Sequence, residues 1–262
     1  MTDQIQLDVA NRIATVTFNN PERRNAITFE MWHELRRVLV DLKHDAEVRV
    51  IVFRGSGDVA FSAGADISEF ETRRKNAAQA TIYNAAFDAA RDEAEAVGKP
   101  TICLIKGACV GGGCEFSAAT DIRIAADNAR FGVPIARLGL PIGHREMRHM
   151  TRLIGRSKTM ELLLTADLIP AEEAHRIGLV NHVTPLAEVE TFTYEMAERI
   201  AALAPVVHRV HKQIASTVLD DPSLAGLTSE DHALAVSPYD TADFQEGWRS
   251  FLEKRTPVFT GQ

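Results

Sequence analysis

Apolar and polar residues alternate in two short segments near the start of the chain, "IQLDVA" and "RIATVTF". That period predicts a pair of β-strands joined by a tight turn at Asn11. The loop "NNPERRNA" follows, and then the spacing becomes helical. Met31, Trp32, Leu35, Val38, Leu39 and Leu42 fall on one face, with Thr28 where an N-cap belongs. "VRVIVFRG" predicts a buried strand ending at Gly55, and "SGDVAFSAGAD" a loop of small residues. A helical pattern runs from about Ala77 to Val97 and stops at "GKP". "TICLIKG" predicts the next strand, "CEFSAAT" a helix, and "DIRIAAD" a further strand.

A strand, a small-residue loop and a helix thus recur through the first half, which is the α/β pattern. Beyond "GLVNHVTP" the chain reads as almost wholly helical from 186 to 256. These helices are too thin to form a core alone, so they are expected to pack on the α/β part or on another subunit. The expected division is a core over 1–185 and a helical region over 186–262.

Composition narrows the classes. The chain has 262 residues, 45% of them hydrophobic and 25% charged, which suits a soluble globular protein with a sizeable core. A net charge of −7 lacks the basic footprint of a nucleic-acid binder. No apolar run is long enough to span a bilayer, and "MTDQIQLDVANRIATVTF" has no secretory pattern. Cys103, Cys109 and Cys114 are odd in number and have no histidine at ligand spacing, which predicts buried free thiols and a cytoplasmic location.

The stretch "GACVGGGCEF" gives up three side chains just before placing one acid, Glu115. Glycine lets a backbone approach a ligand closely, and a strand–glycine–helix junction gathers free N–H groups at one point. Close helix–strand packing would explain the glycines too. A dinucleotide fingerprint is a weaker match, because the spacing is not G-x-G-x-x-G and the element lies mid-chain. A second loop, "AFSAGADISEF", is built the same way. Two such loops can each direct one N–H at a single oxygen, which is what enolising or adding to an acyl thioester requires.

With those two loops in view, the chain resembles the enoyl-CoA hydratase/isomerase (crotonase) superfamily over nearly its whole length. "NNPERRNAIT", "AFSAGADI", "GACVGGGCEFSAATDIRIAADNARFG", "LTADLIPAEEAHRIGLVNHV" and "EGWRSFLEKRTPVFTG" are each similar to a segment of that family. The resemblance implies an α/β fold, a spiral of ββα units with a C-terminal helical trimerisation region. It implies a homotrimer or a dimer of trimers. The substrate would be an acyl-CoA thioester, with coenzyme A entering as part of the substrate and no tightly bound cofactor or metal. Ala65 and Gly112 would supply the oxyanion N–H groups and Glu115 the acid/base. Arg24, with Arg23, would lie near the CoA phosphates, and Ala63, Asp66 and Ile67 beside the CoA. Asp66 would also organise its loop. Lys254 and Phe259 would help hold CoA, possibly that of a neighbouring subunit.

The chain departs from the family's hydratases in two places. Their second glutamate falls in a Pro-Glu pair, and here "FGVPIARLGLPIG" places Ile135 there. The glycine-rich stretch that follows in the family is replaced by "HREMRHM", so His144, Arg145 and Glu146 stand where small residues usually keep the pocket open. Hydration leads as the expected reaction, with isomerisation of an enoyl thioester and decarboxylation of a malonyl-type thioester as alternatives. His144 is a candidate substitute acid or base, since histidine titrates near neutrality. His144 and Glu146 are otherwise read as the polar, solvated start of a helix, and the remaining histidines as structural or surface residues. A non-catalytic CoA- or RNA-binding role is a further alternative. "HRVHKQ" and "ETRRKNA" are too short or too mixed in charge to favour RNA.

Overall fold

The computed structural model describes residues 3–262. The first two residues, which head the stretch read as lacking a secretory pattern, lie outside the described residues. The strands β1 (Ile5–Ala10) and β2 (Ile13–Phe18) form the expected antiparallel pair around Asn11. Helix α1 (Phe29–His44) starts where Thr28 accepts a hydrogen bond from Met31 N at 3.2 Å. Its whole predicted apolar face is buried. Then come β3 (Val50–Gly55), β4 (Ala60–Ser62), the short α2 (Phe70–Arg73) and the long α3 (Ala77–Ala96). They are followed by β5 (Thr101–Ile105), β6 (Ala108–Val110), α4 (Gly112–Ser117), β7 (Ile122–Ala126) and β8 (Arg130–Gly132). After α5 (His144–Thr165), which breaks at Gly155, lie β9 (Ile169–Pro170), α6 (Ala171–Arg176) and β10 (His182–Thr184). Four helices complete the chain: α7 (Val189–Ala201), α8 (Pro205–Asp220), α9 (Ser229–Val236) and α10 (Ala242–Glu253).

The larger sheet runs β1-β2-β3-β5-β7-β10, parallel from β2 onward. Parallel strands are covered on both faces, and here alternate residues enter two separate cores. Phe18, Ile51, Phe53, Cys103 and Ile105 pack towards α1, α3 and α4. Ile13, Val50, Val52, Ile102, Leu104 and Ile124 pack towards Val189, Ala197 and Ala201 of α7. The first of the C-terminal helices therefore covers the back of the sheet. The three cysteines are free and buried.

One expectation is corrected. The stretch 56–66 is not all loop, and "GACV", given no element above, is not without structure. Each holds a three-residue strand, and β4-β6-β8-β9 form a second sheet. Asn25 braces the junction, its Nδ2 donating to Ala60 O at 2.7 Å and Ser56 O at 3.0 Å. This small sheet fixes both glycine-containing loops side by side.

Candidate active site

Ser62 ends β4 and Val110 ends β6, so the two loops leave one sheet edge together. A Cβ on Gly64 would stand 2.9 Å from Val110 O and 3.3 Å from Gly112 N, which shows how closely the loops approach. The triglycine has separate physical reasons at two of its positions. Gly111, the N-cap of α4, has φ 53 and ψ −128, a conformation that side-chain-bearing residues rarely adopt. Gly113 packs so tightly on Ser62 that a Cβ would lie 2.7 Å from the serine Cβ. Gly112 sits between them, and its missing Cβ would lie 3.8 Å from Ala65 N.

Four of the neighbouring amides are spent elsewhere. Ala63 N donates to Arg24 O, Gly64 N to Ser62 Oγ, Asp66 N to Ile27 O and Gly111 N to Gly132 O. Among the described residues, Ala65 N and Gly112 N have no acceptor. They are two free donors on adjoining loops at the wall of one cavity.

That cavity encloses about 440 Å³. Its walls include Trp32, Ala63, Gly64, Ala65, Ile67, Phe70, Tyr83, Phe87, Gly112, Glu115, Ile135, Leu138 and Ile142. Glu115 is a perturbed acid of this wall. Burial pushes its carboxyl from the ordinary value of 4.5 to about 7, although the Arg74 and Arg91 charges pull the other way. It accepts no hydrogen bond from the described residues. A carboxyl poised near neutrality can both take and give a proton at physiological pH.

Ile135 follows Pro134 in a 3-10 turn and faces the same cavity as Glu115, packed against the core. His144 is exposed at the rim, on the first residue of α5. Glu146 is a correction: it is not a solvated helix-start acid. It is 6% exposed, lines the cavity, and its carboxylate is gripped by the guanidinium of Arg91. Arg91 is fully buried and also pairs with Asp88 and Asp92, each at 3.0 Å. Behind this pair, burial pushes His149 down to about 4.

The other predicted site residues divide into two groups. Ala63 and Ile67 line the cavity. The side chain of Asp66 does not: it accepts from Arg23 Nη1 at 2.8 Å and from Ser68 N at 2.9 Å. Burial raises its carboxyl, but the bonds from Ser68 and the Arg23 charge outweigh that and leave it below its ordinary value. These bonds tie the Asp66 carboxylate to Arg23 and to its own loop. Arg24 is exposed, and its carbonyl holds the Ala63 loop. Lys254 and Phe259 are absent from the cavity wall of their own chain; the Phe259 ring packs by Gly247. Sequence reasoning misses Arg74, which sits in the mixed-charge run "ETRRKNA", and misses Tyr83 and Phe87 because the apolar period of α3 does not show which residues face a cavity.

Residues 8–262 match the family described as enoyl-CoA hydratase/isomerase. A short-chain-enoyl-CoA hydratase of Clostridium acetobutylicum is 33% identical over 253 residues, 97% of this chain and 96% of that one. A crotonyl-CoA hydratase of Syntrophomonas wolfei is 33% identical over 257 residues, 98% of each chain. The crystal structure of an enoyl-CoA hydratase/carnithine racemase from Magnetospirillum magneticum superposes with a TM-score of 0.96 at 37% identity, covering 100% of this chain and 97% of that one. By its matched sequence and its fold, this chain belongs to the enoyl-CoA hydratase/isomerase family.

Proposed function

We propose that the chain hydrates an enoyl-CoA thioester with one carboxylate, Glu115, as both base and acid. The observation that carries this is the burial of Glu115, poised at about 7, in one cavity with the two free amides of Ala65 and Gly112. The thioester carbonyl oxygen sits between those amides. Glu115 takes a proton from water as the water oxygen bonds to the β-carbon, and the electron pair of the double bond moves onto the carbonyl oxygen. The amides stabilise that oxyanion. The protonated Glu115 then returns its proton to the α-carbon, so one water is added and the carboxylate is regenerated. Ile135 supplies wall and no proton.

The same residues serve a second reading. With an alkyl side chain at Ile135, Glu115 can move a proton between two carbons of the substrate, which is isomerisation. His144, at the rim, belongs to substrate entry in this account. Coenzyme A is part of the substrate, and no tightly bound cofactor takes part.

A homotrimer, alone or paired, fits the apolar side chains exposed towards the C-terminus, including Phe251 at 82% and Leu252 at 69%. In such an assembly Lys254 and Phe259 would reach a neighbour's CoA. Light scattering of the purified protein tests this: a monomer would contradict it. No helix of the described residues is long and apolar enough to cross a membrane.

The test of function is loss of enoyl-thioester absorbance with crotonyl-CoA. Wild type is expected to turn over, and Glu115→Gln to lose at least about a thousandfold in kcat. Accumulation of a 3-enoyl/2-enoyl mixture without a hydroxyacyl product would favour isomerisation. A wild type that neither hydrates nor isomerises crotonyl-CoA would sink the reading.

A further inference from the structure

Arg74 follows α2 and lines the cavity, half-buried. Its guanidinium lies over two aromatic rings, 4.8 Å from the centroid of Phe70 and 4.7 Å from that of Tyr83. Its Nε is shut away from solvent with no hydrogen-bond partner. Among the described residues its side chain has no ion-pair partner either.

Apart from Glu115, the other charges of this wall are matched. Arg145 pairs with Asp92, Glu146 is held by Arg91, and Asp88 pairs with Arg91 at 3.0 Å. Just outside, Arg23 pairs with Asp66 and Arg73 with Glu30. Glu115 feels the Arg74 charge, but burial dominates there and the two make no hydrogen bond. A guanidinium held on aromatic rings, with part of it desolvated and unsatisfied, is preorganised for a planar anion that accepts two parallel hydrogen bonds.

We propose that Arg74 receives a carboxylate carried on the acyl group, so that the cavity prefers dicarboxylic acyl thioesters to their alkyl counterparts. This rests on the acyl-thioester reading above and specifies its substrate class. The same guanidinium chemistry would also suit a phosphate of the CoA moiety. Arg74 stacks on Tyr83, whose hydroxyl accepts from Trp32 Nε1 at 3.1 Å, and Trp32 packs beside Gly112, so the guanidinium stands at the acyl end instead.

Calorimetric binding separates these possibilities without requiring turnover. Malonyl-, succinyl- and glutaryl-CoA are each titrated against the alkyl thioester of matched length: propionyl-, butyryl- and valeryl-CoA. Wild type is expected to bind at least one dicarboxylic member about tenfold or more tightly than its match. Arg74→Met should bring that ratio close to one, and Arg74→Lys should restore part of it. A thermal melt of each variant checks that it is folded. Equal affinity within every pair overturns the proposal while leaving the thioester reading intact. A preference that survives in Arg74→Met also overturns it, as does an equal weakening of both members, which would assign Arg74 to the CoA phosphates. Failure of every thioester to bind would overturn the underlying reading as well.

Discussion

Arg91, fully buried in α3, holds the carboxylate of Glu146 from the start of α5 and thereby closes one wall of the cavity. Removing one member of a buried pair strands the other. Arg91→Met leaves Glu146 buried without its cation and is expected to cost about 3–5 kcal/mol. Glu146→Gln leaves Arg91 with Asp88 and Asp92, so its cost should be smaller, about 1–2 kcal/mol. The double variant Arg91→Met/Glu146→Leu should recover much of the loss. Urea unfolding measures all three; equal costs for the two single variants would contradict the asymmetry.

Glu115 is kept at a cost to stability. Its folded-state carboxyl is raised, so the folded chain holds that proton more tightly than the unfolded chain does. The resulting stabilisation is complete below 4.5 and is lost as pH rises towards 7. Glu115→Gln has no such dependence. It should therefore gain on wild type between those pH values, by on the order of 3 kcal/mol, the equivalent of moving a proton equilibrium from 4.5 to about 7. Denaturant melts of both proteins at pH 5 and 8 read this difference directly. A constant gap would mean that Glu115 is not desolvated.

The contact between Gly113 and Ser62 sets the spacing of the two loops. Gly113→Ala drives a methyl into the Ser62 side chain and should destabilise by about 1–3 kcal/mol. Ser62→Gly in the same molecule removes the obstructing atoms and should return part of that loss. The recovery is only partial because Ser62 O would still lie 3.1 Å from the new methyl, and because Ser62 Oγ would no longer accept from Gly64 N. Costs that simply add would show that the two residues are not coupled.

Ile135 is treated as a wall. Ile135→Ala should change kcat for crotonyl-CoA by less than about tenfold, against about a thousandfold for Glu115→Gln. Comparable losses would mean that the shape of this wall matters as much as the carboxylate.

Much of the frame was legible in the sequence because it depends on local signals. The Thr28 cap, the apolar face of α1, the buried parallel strands and the junction of glycines with Glu115 all declare themselves within a few residues. The second sheet did not. Strands of two or three residues such as β4 and β9 are too short to show a period, and their partners lie far along the chain. Glu146 looked like a surface acid because the arginine that buries it lies 55 residues away. Arg74 belonged to a run of mixed charge, "ETRRKNA"; Arg73 also lies over a ring, that of Phe29, but pairs with Glu30, whereas Arg74 lines the cavity without an ion-pair partner. The amides of Ala65 and Gly112 were legible as a pattern of small residues, but their freedom rests on where the amides of Ala63, Gly64, Asp66 and Gly111 find their acceptors.

The claim that one carboxylate does all the proton transfer is tested most directly by the pH dependence of kcat/KM for crotonyl-CoA hydration. Glu115 must begin ionised, take a proton and give it back. The account predicts a single ascending limb with its midpoint near 7 and no descending limb from a second required acid. A bell-shaped profile, or a rise centred near 4.5, would contradict it.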